Sequence, residues 1–210
     1  MQKLKEYKNL HILILFFVFG CVYIITKVLE IRGFVFSLSY NLLMLALSAL
    51  FLKADFDLNP FRPGAPLPRT LGRGALLALA MAAALFLLGC LTGGVLLFPV
   101  RLWGHSVPIL LRFFAIQIVV AFSEEALFRF YLYRCLLDTL RRPFWAALLT
   151  SLLFAGVHIA LNGIWIQFFV ALGVSLVFFA VLRKKPENAY YLLVSAHFFY
   201  NILVQLVFCL

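Results

Sequence analysis

Seven long apolar segments, separated by short polar connections, constrain this chain more than any other feature of its sequence. A transmembrane helix needs about 20 mostly apolar residues, and each segment is close to or above that length. Lipid offers no partners for backbone polar groups, and the segments lack the alternating pattern of barrel strands, so we expect helices throughout. The segments cover approximately 10–29, 33–52, 74–98, 108–137, 143–161, 163–182 and 189–209.

The composition agrees with a protein whose solvent is lipid. Of the 210 residues, 65% are hydrophobic and 12% are charged, and the mean hydropathy is +1.07. A soluble domain is about 45–50% apolar and about 25% charged, and a soluble fold of this size would expose too much apolar surface. We therefore predict an all-α, polytopic membrane helix bundle with about seven transmembrane helices, forming a single membrane domain over residues 1–210.

The positions of the 18 Lys and Arg residues predict the orientation. With the N-terminus in the cytoplasm, 13 of them lie on the cytoplasmic side and three, Lys27, Arg32 and Arg101, lie outside. Cytoplasmic loops of membrane proteins collect cations, so this bias predicts an N-in, C-out topology in the cell (inner or plasma) membrane. In a soluble protein the net charge of +10 would suggest a nucleic-acid partner. Here the cations of the cytoplasmic loops account for the net charge, and we expect no nucleic-acid partner.

The segments fall into two groups along the chain. Residues 1–100 hold three spans and a cytoplasmic loop, 53–73, whose four prolines exclude a continuous helix. Residues 108–209 form a four-helix core that carries the unusual polar residues. His11 and His105 lie close to the ends of predicted spans, and we expect them at the membrane interface.

The fourth segment carries three ionisable side chains within six residues: Glu124, Glu125 and Arg129. Each costs about 2.5–3.5 kcal/mol at the centre of a membrane helix. Glu125 and Arg129 stand four residues apart and are expected to pair on one helix face. Glu124 points about 100° away from that face and lacks such a partner. A structural ion pair explains Glu125 and Arg129, whereas Glu124 suits a general acid or base.

Two later segments carry further polar residues at helical spacing. Phe154 and His158 share a face of the fifth segment, and His197 and Asn201 share a face of the seventh. At about 1.5 Å per residue, Glu124, His158, His197 and Asn201 lie roughly 12–22 Å from the cytoplasmic ends of their spans. The four side chains are therefore predicted to converge near the middle of the bilayer.

The patterns Glu-Glu-x-x-x-Arg, Phe-x-x-x-His and His-x-x-x-Asn, in this order on separate apolar segments, resemble the motifs of the CPBP family. This family of CAAX proteases and bacteriocin-processing enzymes, also called Abi proteins, includes the Ras-converting type of CAAX prenyl endopeptidase. The resemblance covers about 108–205. It implies an intramembrane endopeptidase of the glutamic type, formerly called a metalloprotease.

The resemblance also implies roles for the polar residues. Glu124 would activate a water molecule for attack on the scissile carbonyl, and His158 would help to hold that water. His197 and Asn201 would line the oxyanion hole. Three further side chains would support the catalytic helix or pack beside the site: Glu125, Arg129 and Phe154.

The implied substrate is a membrane-anchored protein or peptide with a C-terminal sorting tail or a CAAX-like end. We expect no cofactor, because the sequence has no H-E-x-x-H helix; if zinc were bound, its ligands would be Glu124, His158 and His197. Two other classes stay open: a non-catalytic immunity or scaffolding membrane protein, and a small proton-coupled transporter that uses the buried Glu and His residues as a relay. The inverted repeats that are common in transporters are not evident.

Overall fold

The computed structural model of the chain describes residues 2–27, 29, 33–59, 61–63, 65–91, 106–162, 165–184 and 189–207. For residues 2–8, 27, 159–162, 165 and 206–207 only the backbone is described. Throughout this part of the chain the regular structure is helical. The elements are α1 (Gln2–Lys27), α2 (Phe34–Phe56), α3 (Leu67–Leu91), α4 (Val107–Glu124), a π-helical segment (Glu125–Leu132), α5 (Tyr133–Leu140), α6 (Pro143–Asn162), α7 (Trp165–Lys184) and α8 (Ala189–Val207).

Each of the seven predicted apolar segments contains a helix. In the fourth segment α4, the π segment and α5 form one continuous helical stretch. Within the described residues, five helical stretches are long and apolar enough to cross a membrane: Asn9–Thr26, Phe34–Phe56, Leu67–Leu91, Val107–Leu140 and Ile166–Lys184. Helix α6 is apolar over the shorter stretch Pro143–His158. The predicted polytopic helical membrane bundle is confirmed.

The connection between α2 and α3 is shorter than the predicted loop 53–73. Helix α2 continues to Phe56 and ends at Asp57, whose left-handed backbone (φ 53°) stops the helix. Helix α3 already begins at Leu67. Pro68 is tolerated there because the first helical turn makes no use of its missing N–H.

A buried polar cluster ties α1 and α2 to the π segment. The His11 Nδ1–H donates to the carboxylate of Asp55, 2.9 Å from both of its oxygens, and the Tyr131 hydroxyl donates to Asp55 Oδ2 at 2.8 Å. The His11 ring also stacks on Phe51, with centroids 4.1 Å apart. The His11 side chain is 17% exposed and lies two residues inside the apolar span that begins at Asn9, so its expected position at the membrane interface stays a prediction. His105 lies outside the described residues.

Helices α3 and α8 pack in close contact through small residues. A Cβ at Gly74 would lie 2.5 Å from the carbonyl oxygen of Leu192 and 2.6 Å from the Cβ of Ser195, so only glycine fits there. The Ser195 hydroxyl donates to the carbonyl oxygen of Leu71 at 2.7 Å. Small residues allow such close approach between membrane helices. This contact sets the position of α8, which carries His197 and Asn201.

Candidate active site

The site is built around the junction between α4 and the π segment. Glu124 is the last residue of α4, and Glu125 is the first residue of the π segment. π-helical turns are rare and occur often at functional sites. All eight residues of this segment are buried, so it runs through the centre of the bundle with its polar side chains away from lipid.

Glu125 is held by two partners. Its Oε2 lies 3.4 Å from Arg129 Nε, and its Oε1 accepts a hydrogen bond from His197 Nδ1–H at 2.8 Å. The predicted pairing of Glu125 with Arg129 is confirmed. The side chains of both residues are fully buried, so this ion pair is shielded from water and lipid alike.

Arg129 is enclosed by aromatic rings. Its guanidinium carbon lies 4.0 Å from the centroid of the Phe154 ring and 5.4 Å from that of Phe178. A buried guanidinium over an aromatic face gains cation–π attraction that partly compensates for lost hydration. Phe154 thereby joins α6 to the π segment, next to the ion pair.

Glu124 has different surroundings from those of Glu125. Its Oε2 lies 3.6 Å from His197 Nε2, which is longer than a hydrogen bond. About 24% of its side chain is exposed, against none of Glu125. That exposed part faces a cavity of about 310 Å³, whose lining also includes Tyr40, Asn41 and Ser123. His197 therefore stands between the two glutamates, and only Glu124 reaches the cavity.

His158 approaches the site through Phe154. Its ring packs against the Phe154 ring at 4.4 Å, and its Nδ1–H donates to the Phe154 carbonyl oxygen at 2.9 Å. The predicted common face of these two residues is confirmed. A neutral His158 then keeps Nε2 as a hydrogen-bond acceptor. Its neighbour Val157 lines the cavity that Glu124 reaches.

Asn201 contacts a residue that the sequence did not single out. Its Nδ2 donates to Gln117 Oε1 at 2.9 Å. Gln117 stands seven residues before Glu124 and therefore on the same face of α4, a spacing that could have marked it. One N–H of the Asn201 amide remains available for another acceptor. Among the described contacts, no hydrogen bond joins His158 or Asn201 directly to either glutamate.

Asn41 and Ser123 form a second contact that sequence reasoning missed. The Ser123 hydroxyl lies 2.9 Å from Asn41 Oδ1, and Asn41 Nδ2 donates to the Ser37 carbonyl oxygen at 2.9 Å. The contact joins α2 to the residue directly before Glu124. Asn41 is an uncommon polar residue in an apolar span, which is the signal that could have identified it.

The same residues do not form a group of metal ligands in the described part of the chain. Three or more His, Cys, Asp or Glu side chains grouped as metal ligands do not occur among the residues that the structure describes. The nearest arrangement is Glu124 with His197, and the second nitrogen of His197 is already bonded to Glu125.

Comparison with known proteins agrees with the motifs. Over residues 105–203 the chain is similar to the family whose model is described as type II CAAX prenyl endopeptidase Rce1-like. No curated protein and no solved structure matched the chain. The family supports an intramembrane endopeptidase of the CAAX type in general, and it implies a membrane-anchored protein or peptide as substrate.

Proposed function

We propose that this protein is a glutamic-type intramembrane endopeptidase of the cell membrane, in which Glu124 activates water for attack on a peptide bond. The observation that carries this proposal is the unequal environment of two adjacent glutamates. Glu125 is fully buried between Arg129 and His197, whereas about 24% of the Glu124 side chain is exposed and lines the cavity. A base must reach both water and substrate, so Glu124 suits the role.

His197 lies between the two glutamates and presents one ring nitrogen to each. Its Nδ1 lies 2.8 Å from Glu125 Oε1, and its Nε2 lies 3.6 Å from Glu124 Oε2. When both ring nitrogens carry a proton, His197 donates from Nδ1 to Glu125 and has a second donor, at Nε2, on the side of Glu124.

The catalytic step follows from these donors and acceptors. Glu124 takes a proton from water, and the resulting hydroxide attacks the scissile carbonyl carbon. The oxyanion of the tetrahedral intermediate accepts hydrogen bonds from His197 Nε2–H and from the second N–H of Asn201, which Gln117 holds in place. Glu124 then passes its proton to the leaving amine as the C–N bond breaks. His158 helps to hold the attacking water through Nε2.

The proposed substrate is a membrane-anchored protein or peptide with a C-terminal sorting tail or a CAAX-like end. The site lies in the interior of a bundle whose spans are apolar, so a substrate that is already in the membrane has the shortest route to it. We propose that no metal takes part, because Glu124 and His197 supply the base and the donors that hydrolysis needs.

Cleavage by the purified protein tests this proposal. The probes are detergent-solubilised peptides with a C-terminal apolar helix, made with and without a CAAX-like end. Glu124→Gln keeps the size of the side chain but removes the base, so we expect cleavage to fall about 100- to 10,000-fold. Asp57→Asn, at an exposed carboxylate between α2 and α3, is the matched control and should cleave like the wild type.

The result that contradicts the proposal is equal cleavage by the wild type and Glu124→Gln. The same assay is run with a strong chelator, and we expect no loss of cleavage. Loss in chelator that added zinc restores would overturn the metal-free mechanism while leaving the endopeptidase assignment intact.

A further inference from the structure

The cavity next to Glu124 occupies one half of the bundle only. It is lined by α1 from Phe19 to Thr26, by Gly33 and by α2 from Phe36 to Met44. Along α2 alone it extends about 12 Å, at about 1.5 Å per residue. Its deep part is formed by the α4–π junction at Glu124, and its far part lies where α1 ends and α2 begins.

The opposite half of the same helices is filled. Leu15, Phe51 and Leu52 are buried in the core. Beyond them the carboxylate of Asp55 is bonded to His11 and Tyr131. Among the described residues, these side chains close the space between α1, α2 and the π segment on that side of Glu124. The cavity therefore leads from Glu124 toward the connection between α1 and α2.

The cavity wall combines polar and apolar groups. Ser37 and Tyr40 bring hydroxyls from α2, and Ser123 and Asn41 lie deeper, beside Glu124. Apolar rings and chains complete the lining, including Phe36. A backbone that is not helical needs hydrogen-bond partners when it leaves water for the membrane interior. A wall of this kind suits an extended peptide, with hydroxyls for its backbone and apolar surface for its side chains.

The predicted orientation places this end of the bundle outside the cell. The end at which α1 meets α2 carries Lys27 and Arg32. The predicted cytoplasmic end, with the N-terminus and the α2–α3, α5–α6 and α7–α8 connections, carries 13 of the 18 cations. We propose that the cavity between α1 and α2 is the substrate cleft, and that an extended substrate segment enters it from the extracytoplasmic side. This inference rests on the proposed function, and it adds the side of entry and the helices that receive the substrate.

The entry side is tested without any cleavage assay. In a chain whose four cysteines are replaced by alanine, Ser37→Cys lines the cavity, while Ser39→Cys is exposed on the outer surface of α2. A charged, membrane-impermeant thiosulfonate reacts with thiolates in water. When this reagent is added to intact cells, it should label the Ser37→Cys variant and should not label the Ser39→Cys variant. Labelling only in inverted vesicles, or from neither side, would overturn the proposed entry.

Whether the cleft binds the substrate is tested with two tryptophan variants of the native chain, one inside the cleft and one outside it. Ser37→Trp fills the cleft and should reduce cleavage of the membrane-anchored peptides at least tenfold, whereas Ser39→Trp projects outward and should cleave like the wild type. Elution of both variants as single species from a sizing column shows that they fold. Full activity of Ser37→Trp would overturn the cleft as the substrate site. If the wild type cleaves no peptide, the labelling result still decides the entry side, so the two failures are distinguishable.

Discussion

Glu124 and Glu125 differ because of what surrounds each carboxylate. The two side chains are identical and adjacent, yet one lies in an aromatic and ionic enclosure and the other opens to a cavity. His197 contacts both, through different ring nitrogens. The two carboxylates can therefore take different tasks, one positioning the histidine and the other reacting with water.

The buried Glu125–Arg129 ion pair allows a prediction of how single substitutions change the stability of the protein. Arg129→Leu leaves a buried carboxylate without its cation, which costs about 3–5 kcal/mol in comparable pairs. Adding Glu125→Gln removes that unpaired charge, so the double variant should be more stable than Arg129→Leu alone. Thermal unfolding in detergent measures both. Equal stability of the single and double variants would show that lost packing, not lost charge, causes the effect.

At the scale of elements, the site depends on helices that lie outside the family match. Helix α2 contributes Asn41, which contacts Ser123, and helix α3 provides the surface on which α8 docks. These contacts position α4 at Ser123, directly before Glu124, and α8, which carries His197. A shift of α8 by even 1 Å would move His197 away from Glu125, and misplacement of this size can cost about 100-fold in rate.

Gly74 tests the docking of α8. Gly74→Ala places a methyl group against Leu192 and Ser195, so we expect destabilisation of about 1–3 kcal/mol and lower cleavage. Gly72→Ala is the matched control, since nothing lies within 4 Å of a Cβ there. It should be neutral or stabilising by up to about 1 kcal/mol, because alanine favours helix over glycine. Unfolding and cleavage are measured together, and equal behaviour of both variants would contradict the proposed role of the α3–α8 contact.

At the scale of the whole molecule, the distribution of charge predicts the orientation in the membrane, and the location of the cavity then indicates the side from which Glu124 is reached. The cationic connections are predicted to face the cytoplasm, and the cavity opens toward the opposite end. A substrate that approaches from outside would thus meet Glu124 without passing the closed His11–Asp55–Tyr131 side.

The orientation is checked by fusions to the C-terminus of the full chain. Alkaline phosphatase folds only outside the cytoplasm, and green fluorescent protein becomes fluorescent only within it. Because seven spans with an internal N-terminus end outside, we expect an active phosphatase fusion and a dark fluorescent one. The reverse pair of results would contradict the N-in, C-out topology and place the entrance of the cleft on the cytoplasmic side.

The sequence by itself determined the helical membrane bundle, the seven segments and the pairing of Glu125 with Arg129. These features follow from local properties: the length of an apolar run, the cost of charge in lipid and the 3.6-residue repeat of a helix. The same repeat correctly placed Phe154 with His158 on one face.

Only the tertiary structure decided which partners these residues meet. Contact of His197 with both glutamates, of Asn201 with Gln117 and of Asn41 with Ser123 joins positions at least 72 residues apart. The π segment was also missed, because its hydrogen-bonding pattern leaves no mark in an apolar run. Helix packing at Gly74 and around Arg129 places α8 and α6 against the π segment, and this packing makes one glutamate accessible while it buries the other.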